Sequence, residues 1–240
     1  MYRISNDSPL RGPHANFSER QIILLDGIRY SADMAGIAFD RLWEKLKSVN
    51  TRWHQADTTD IAEAALFAWS IIDAIHRLHD LIANFPVLPN QTWRRIFADR
   101  VADALELRDS WQHQANDVDA NVDGRRQAWG AIAWAEHIED VPTSLWCLMV
   151  AGTELAGSQW IFAGTVDAID REDTRRIRLL HGDRQFYLGR GVRDLFEAVS
   201  HFEDLLRNGQ IRLVGDPVNR ERGNDILMIQ EIVRFLAPAA

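Results

Sequence analysis

The chain has 240 residues, with 27 Lys+Arg against 35 Asp+Glu and a net charge of −8. This length fits one large domain or a domain with a small annex, and 46% hydrophobic with 26% charged residues excludes a disordered chain. The acidic balance argues against coating nucleic acid through bulk charge but leaves room for a local basic site.

The single cysteine, Cys147, excludes an internal disulfide and suits a reducing compartment, so a cytoplasmic location is expected. The opening MYRISNDSPLRGPH carries no apolar stretch of the secretory type. The longest apolar run, Leu145 to Ala151, falls far short of the roughly 20 residues that cross a bilayer, so no membrane role is expected.

Residues 1–18 lack any sustained period and hold Pro9, Gly12 and Pro13, which predicts a flexible lead. From about Ser18 to Ser48, Leu24, Ile28, Ala35, Ala38, Leu42 and Leu46 recur at helical spacings. A second helix is predicted from Thr59 as N-cap, with Asp60 and Glu63 in its first turn, ending before the prolines of FPVLP. A third runs from about Asn90 to Asn116 through Trp93, Phe97, Val101, Ala104 and Trp111. A fourth, shorter one is predicted over 124–137.

The period then changes. The segments 144–151 and 159–166 are short, apolar and aromatic, and predict a hairpin. A second hairpin is predicted from 177–180 and 185–188 around Gly182. A helix over 190–207, a strand over 211–214 and a last helix over 225–236 complete the chain. The expected class is α+β, mostly α: a flexible lead (1–18), a helical bundle (19–140) and an annex of β-hairpins and two helices (141–240) packed on it.

The sharpest chemical feature is Arg108-Asp109-Ser110-Trp111-Gln112-His113 near the end of the third helix. Arg108 falls among Phe97, Val101, Ala104 and Trp111, where a guanidinium must be paired, line a cleft or face a partner subunit. Asp109 and His113 are one turn apart. Histidine can move protons near neutral pH, and arginine can hold phosphate oxygens as charge develops on them.

An arginine, a polar residue, three more residues and a histidine, late in a small helical bundle, resemble the R-x(4–6)-H motif of HEPN domains. The resemblance covers about residues 18–137. It implies a HEPN-like bundle and a homodimeric, metal-independent endoribonuclease needing no cofactor. It further implies an RNA substrate and a toxin–antitoxin or anti-phage defence setting with an antitoxin or defence partner. Matched position by position, Arg108 is the motif arginine, Asp109 the polar residue after it and His113 the motif histidine. Arg175 and Arg176 stand at allowed spacings from His181, but in a predicted strand, where the family does not place its motif. A rival reading is a non-catalytic helical module for dimerisation or for binding RNA or protein.

Two further constellations compete. Asp73, His76, His79 and Asp80 lie at spacings that put subsets on one helix face, as in bundle metal sites, but no Glu-x-x-His occurs and a solvated polar face is favoured. Residues 171–193 hold seven arginines against three acids, a local charge reversal suited either to an RNA backbone or to protected strand edges. Nucleotide-loop, dinucleotide-loop and serine-elbow motifs are absent.

Overall fold

The computed structural model describes residues 2–12, 17–86, 88, 92–115, 118–119, 129–137, 144–152, 177–182 and 184–215. Four long helices and a four-stranded antiparallel sheet make up this part of the chain. The helices are α1 (Glu19–Thr51), α2 (Thr58–Ala83), α3 (Thr92–Gln112) and α4 (Leu188–Arg207).

Local chemistry sets the helix starts. Ser18 caps α1 in a reciprocal capping box with Gln21. Asp57, rather than the predicted Thr59, caps α2, and Asp60 returns the bond to the Asp57 N–H. Asp60 also receives Arg52 and Lys45, and these cations with the Asp57 N–H hold its carboxyl well below the usual carboxylate range. This cluster ties the end of α1 to the start of α2.

The helices alternate in direction. Lys45 of α1 meets Asp60 and Glu63 at the start of α2, while Gly27 lies against Leu81 near its end. Between α2 and α3, Arg94 donates to the Ala83 carbonyl at 2.8 Å, and Trp69 stacks on Trp111 at 4.3 Å. α4 returns beside both, with Phe202 edge-on to Phe85 at 5.0 Å and Gly191 against Ile75 and Phe186. One core results, including Phe39 and Leu42 of α1, Ile72 and Ile75 of α2, Val101 of α3 and Leu195 and Phe202 of α4.

The sheet order is β2-β1-β3-β4, from β1 (Ala131–His137), β2 (Ser144–Val150), β3 (Ile177–His181) and β4 (Arg184–Tyr187). Trp134 sits opposite Cys147 on one side and Ile177 on the other; Leu179 pairs with Phe186. β4 passes directly into α4, which fixes the sheet to the bundle.

Several sequence expectations need correction. Residues 131–137 are a strand, not the end of a fourth helix. Ala131 through Ala135 are all buried, so β1 shows no polar alternation, and its alanines imitate a helix. Consequently β2 pairs with β1, and the expected partner segment 159–166 lies outside the described residues, as do 225–236. The β3–β4 hairpin forms as predicted, with Gly182 at φ 61° in its turn.

The lead is not a loose tail over residues 2–12. Leu10 and Ile4 are buried in the core, and Tyr2 contacts Phe39 and Phe196. Arg11 pairs with Asp33 at 2.8 Å. The backbone passes so close to α1 that a Cβ on Gly36 would lie 2.0 Å from the Tyr2 carbonyl oxygen. Residues 211–214 are not a strand. Gln21 of α1 donates to the Arg212 carbonyl at 2.8 Å and accepts from the Val214 N–H at 3.2 Å, satisfying that backbone without a ladder.

Candidate functional site

α3 stops at Gln112, and the His113 N–H donates to the Asp109 carbonyl at 3.2 Å. At this end Arg108 leans over the seam with α2. Its Nη1 donates to Gln112 Oε1 at 2.7 Å, and its Nε lies 3.7 Å from Asp73 Oδ1. Nη1 is 3.9 Å from Asp109 Oδ1. The Nε is buried with no hydrogen bond of its own, since 3.7 Å is an ion-pair distance. Asp73 also binds Arg77 one turn on, so a single carboxylate serves two guanidinium groups.

Asp109, Gln112 and His113 face solvent. The structure therefore brings Arg108 and Asp109 within reach of each other. The His113 side chain makes no described hydrogen bond with either. Positions five apart on a helix differ by about 140°, which accounts for the separation. A ligand spanning the end of α3, or a second molecule laid across it, would have to bridge the two.

The neighbouring turn holds a group of aromatic side chains. Trp69 and Trp111 are stacked, Trp129 stands edge-on to Trp111 at 5.7 Å, and His181 stands edge-on to Trp69 at 5.6 Å. His181 is buried, and its Nδ1 is 3.3 Å from Ser110 Oγ. Trp129 is half exposed, held against Gly152, where a Cβ would lie 2.4 Å from the indole. Trp69–Trp111 and Asp73–Arg108 are successive rungs of the α2–α3 seam, one aromatic and one ionic. Sequence reasoning placed Trp111 on the apolar face of the third helix and treated His181 only as a spacing match. The pairing of Asp73 with Arg108 and of Ser110 with His181 was missed, because each joins separate elements. The signal within reach was the i, i+4 spacing of Trp69 and Asp73 against the i, i+3 spacing of Arg108 and Trp111.

The other constellations resolve into contacts within the chain. Asp80 receives His76 Nδ1 at 3.3 Å and His79 Nδ1 at 3.2 Å. Among the described residues, no group of three or more His, Cys, Asp or Glu is placed to hold a metal ion. Of the arginine-rich run, Arg178 is buried beside Gln185 and Tyr187. Arg184 binds the Glu106 carbonyl and carboxylate, and Arg190 faces Asp194. Arg171, Arg175 and Arg176 lie outside the described residues. Arg100 pairs with Asp194 and Glu197 of α4. Burial pushes the Asp194 carboxyl up from its ordinary value even so, against the pull of Arg100, Arg193 and Arg190.

A cleft of about 440 Å³ opens at the other end of α3, lined by His79, Thr92, Arg94 and Arg95 among others, and does not include Arg108, Asp109 or His113. No helix among the described residues is long and apolar enough to cross a membrane. Compared with protein-family models, curated proteins and solved structures, the chain matches none.

Proposed function

We propose that this chain is a metal-independent endoribonuclease of the HEPN type, acting at the end of α3. One observation carries the reading: Arg108 and Asp109 lie within reach of each other where α3 ends, and the Asp109 carboxylate and the His113 imidazole one turn on are open to solvent. The Arg108 side chain is 25% exposed, and a partly exposed guanidinium at such a site can offer its outer N–H groups to a phosphate oxygen.

In this reading a ribose 2′-hydroxyl attacks the adjacent phosphorus. His113 serves as the proton-transfer group: its imidazole takes the 2′-hydroxyl proton, and the imidazolium so formed supplies one to the departing 5′-oxygen. Arg108 stabilises the extra negative charge on the non-bridging oxygens. Asp109 holds the arginine in place. The P–O5′ bond breaks as the O2′–P bond forms, leaving a 2′,3′-cyclic phosphate and a 5′-hydroxyl. No metal or cofactor enters the step. Two copies meeting across this helix end would bring the arginine of one near the histidine of the other, so the active form is a homodimer. A toxin–antitoxin or defence setting in the cytoplasm, with an antitoxin or defence partner, belongs to the same reading.

The second reading, a non-catalytic binding module, is favoured by a specific observation: Gln112 and Asp73 already hold Arg108 within the chain. Incubating total tRNA with the purified protein in EDTA separates the two. Fragments made by the wild type and lost in His113→Ala support the nuclease. RNA retained intact, at micromolar protein, supports the binding module.

A further inference from the structure

Between Gln21 and Asp40, the residues of α1 that are exposed are Ile23 (69%), Tyr30 (48%), Met34 (41%) and Ile37 (46%). Their spacings of seven, four and three place them in one stripe along the helix. A surface helix ordinarily turns charged and polar residues outward; one that is apolar on its outer face as well as its inner face is covered by something. The stripe is flanked on both sides by parts of the same chain. On one flank Gly27 touches Leu81 of α2, and on the other Asp33 and Asp40 hold Arg11 and Arg3 of the N-terminal segment.

The chain itself supplies a matching cover. The described residues lead back to the head of this stripe: Gln21 brackets Arg212 and Val214, and Gly215 sits against Ser18. After Gly215 come nine residues, 216–224, polar or turn-forming but for Val218, and then 225–236, read from the sequence as a helix. That helix groups Ile226, Ile229, Ile232, Val233 and Leu236 on one face with Met228 and Phe235 at its edge, and Gln230, Glu231 and Arg234 opposite, where Leu227 is the one apolar residue. These residues lie outside the described ones.

The dimensions agree. From Ile23 to Ile37 the stripe runs about 21 Å, and a helix of 12 residues spans about 18 Å. The nine-residue connection reaches up to about 30 Å, enough to lay the helix along α1 in either direction. A tethered segment is present at a high effective concentration, which favours it over a separate partner. A second copy on the stripe would leave the apolar face of 225–236 uncovered, whereas the two faces of one chain satisfy each other.

We propose that residues 225–236 of the same chain lie on the Ile23–Tyr30–Met34–Ile37 stripe as a further helix of the bundle. Hydrogen exchange on the full chain, read in peptides covering 225–236 at two protein concentrations tenfold apart, tests this directly. The expected result is exchange at least tenfold slower than in an unstructured chain, unchanged on dilution, with protection lost in Met34→Asp/Ile37→Asp while α2 and α4 stay protected. Free exchange in the wild type overturns the proposal. So does protection that falls on dilution together with a doubled mass, because a second copy would then be the cover. Protection that survives the double substitution overturns it too. Should that variant not fold, benzoylphenylalanine at Tyr30 gives the same answer in a folded chain. An intramolecular photo-adduct within 225–236 is expected, and an adduct elsewhere or a covalent dimer refutes the assignment.

Discussion

Arg108 can be a phosphate ligand or a structural cation, and the pair of variants Arg108→Ala and Asp73→Asn separates the roles. The ion pair itself is worth little. Asp73 is 42% exposed, Arg108 is 25% exposed and the separation is 3.7 Å. A partly exposed pair of this kind contributes about 0.3–1 kcal/mol. Both variants should therefore lower Tm by no more than about 4 °C, since about 1 kcal/mol corresponds to 2–4 °C in a chain of this size. Catalysis asks far more of the arginine. Removing a donor that meets developing negative charge costs about 10²- to 10³-fold in kcat. Arg108→Ala should lose that much cleavage while staying folded, and Asp73→Asn, which keeps the guanidinium, should retain activity within about threefold. The assay is initial-rate cleavage of a labelled RNA in EDTA beside thermal unfolding of the same samples. Equal losses in the two variants, or an Arg108→Ala enzyme cleaving at the wild-type rate, would refute the reasoning.

Other expectations follow from the fold. Gly36→Ala puts a methyl where the Tyr2 carbonyl lies 2.0 Å away, so it should cost about 1–3 kcal/mol and make Arg3 and Arg11 early sites of limited tryptic cleavage. The Asp60 carboxyl is held below its ordinary 3.8 by Arg52 and the Asp57 N–H, so its contribution is fully present above that value and is lost as pH falls through the acid range. Urea unfolding from pH 7 down to pH 2 should show a shallower acid loss in Asp60→Asn than in the wild type. Asp194 has the opposite sign: its pKa is raised, mainly by burial, so its ionisation costs stability above its unfolded value, and that cost disappears as pH falls. Asp194→Asn should be no less stable than wild type near pH 7, and its relative advantage should shrink toward pH 4 in the same titration.

What the sequence made legible was whatever repeats along one element. α1, α2 and α4 follow their apolar stripes, and the β3–β4 turn is announced by Gly182 between two short apolar runs. β1 was hidden because both its faces are buried, which removes the alternation that marks a strand. The N-terminal segment was hidden because Tyr2, Ile4 and Leu10 are isolated anchors with no period between them. Residues 211–214 look like a strand, yet a single side chain, Gln21, supplies the hydrogen bonds a ladder would have given. At the candidate site, Arg108, Asp109 and His113 could be picked out by type and spacing. That Arg108 would meet Asp73, and that Ser110 would meet His181, depends on how α3 sits against α2 and the sheet, which no single stretch of sequence encodes.

The most direct test of the proposed chemistry uses the substrate rather than the protein. An RNA with one mapped cleavage site is remade with a single 2′-deoxyribose on the 5′ side of the scissile phosphate, and both are incubated with the full chain in EDTA. If a 2′-hydroxyl is the nucleophile, the unmodified RNA yields a 2′,3′-cyclic phosphate end and the modified one stays intact at that position. Cleavage of the deoxy-substituted RNA at the same bond, or a 5′-phosphate on the downstream fragment, would contradict the assignment of Arg108 and His113 to this reaction.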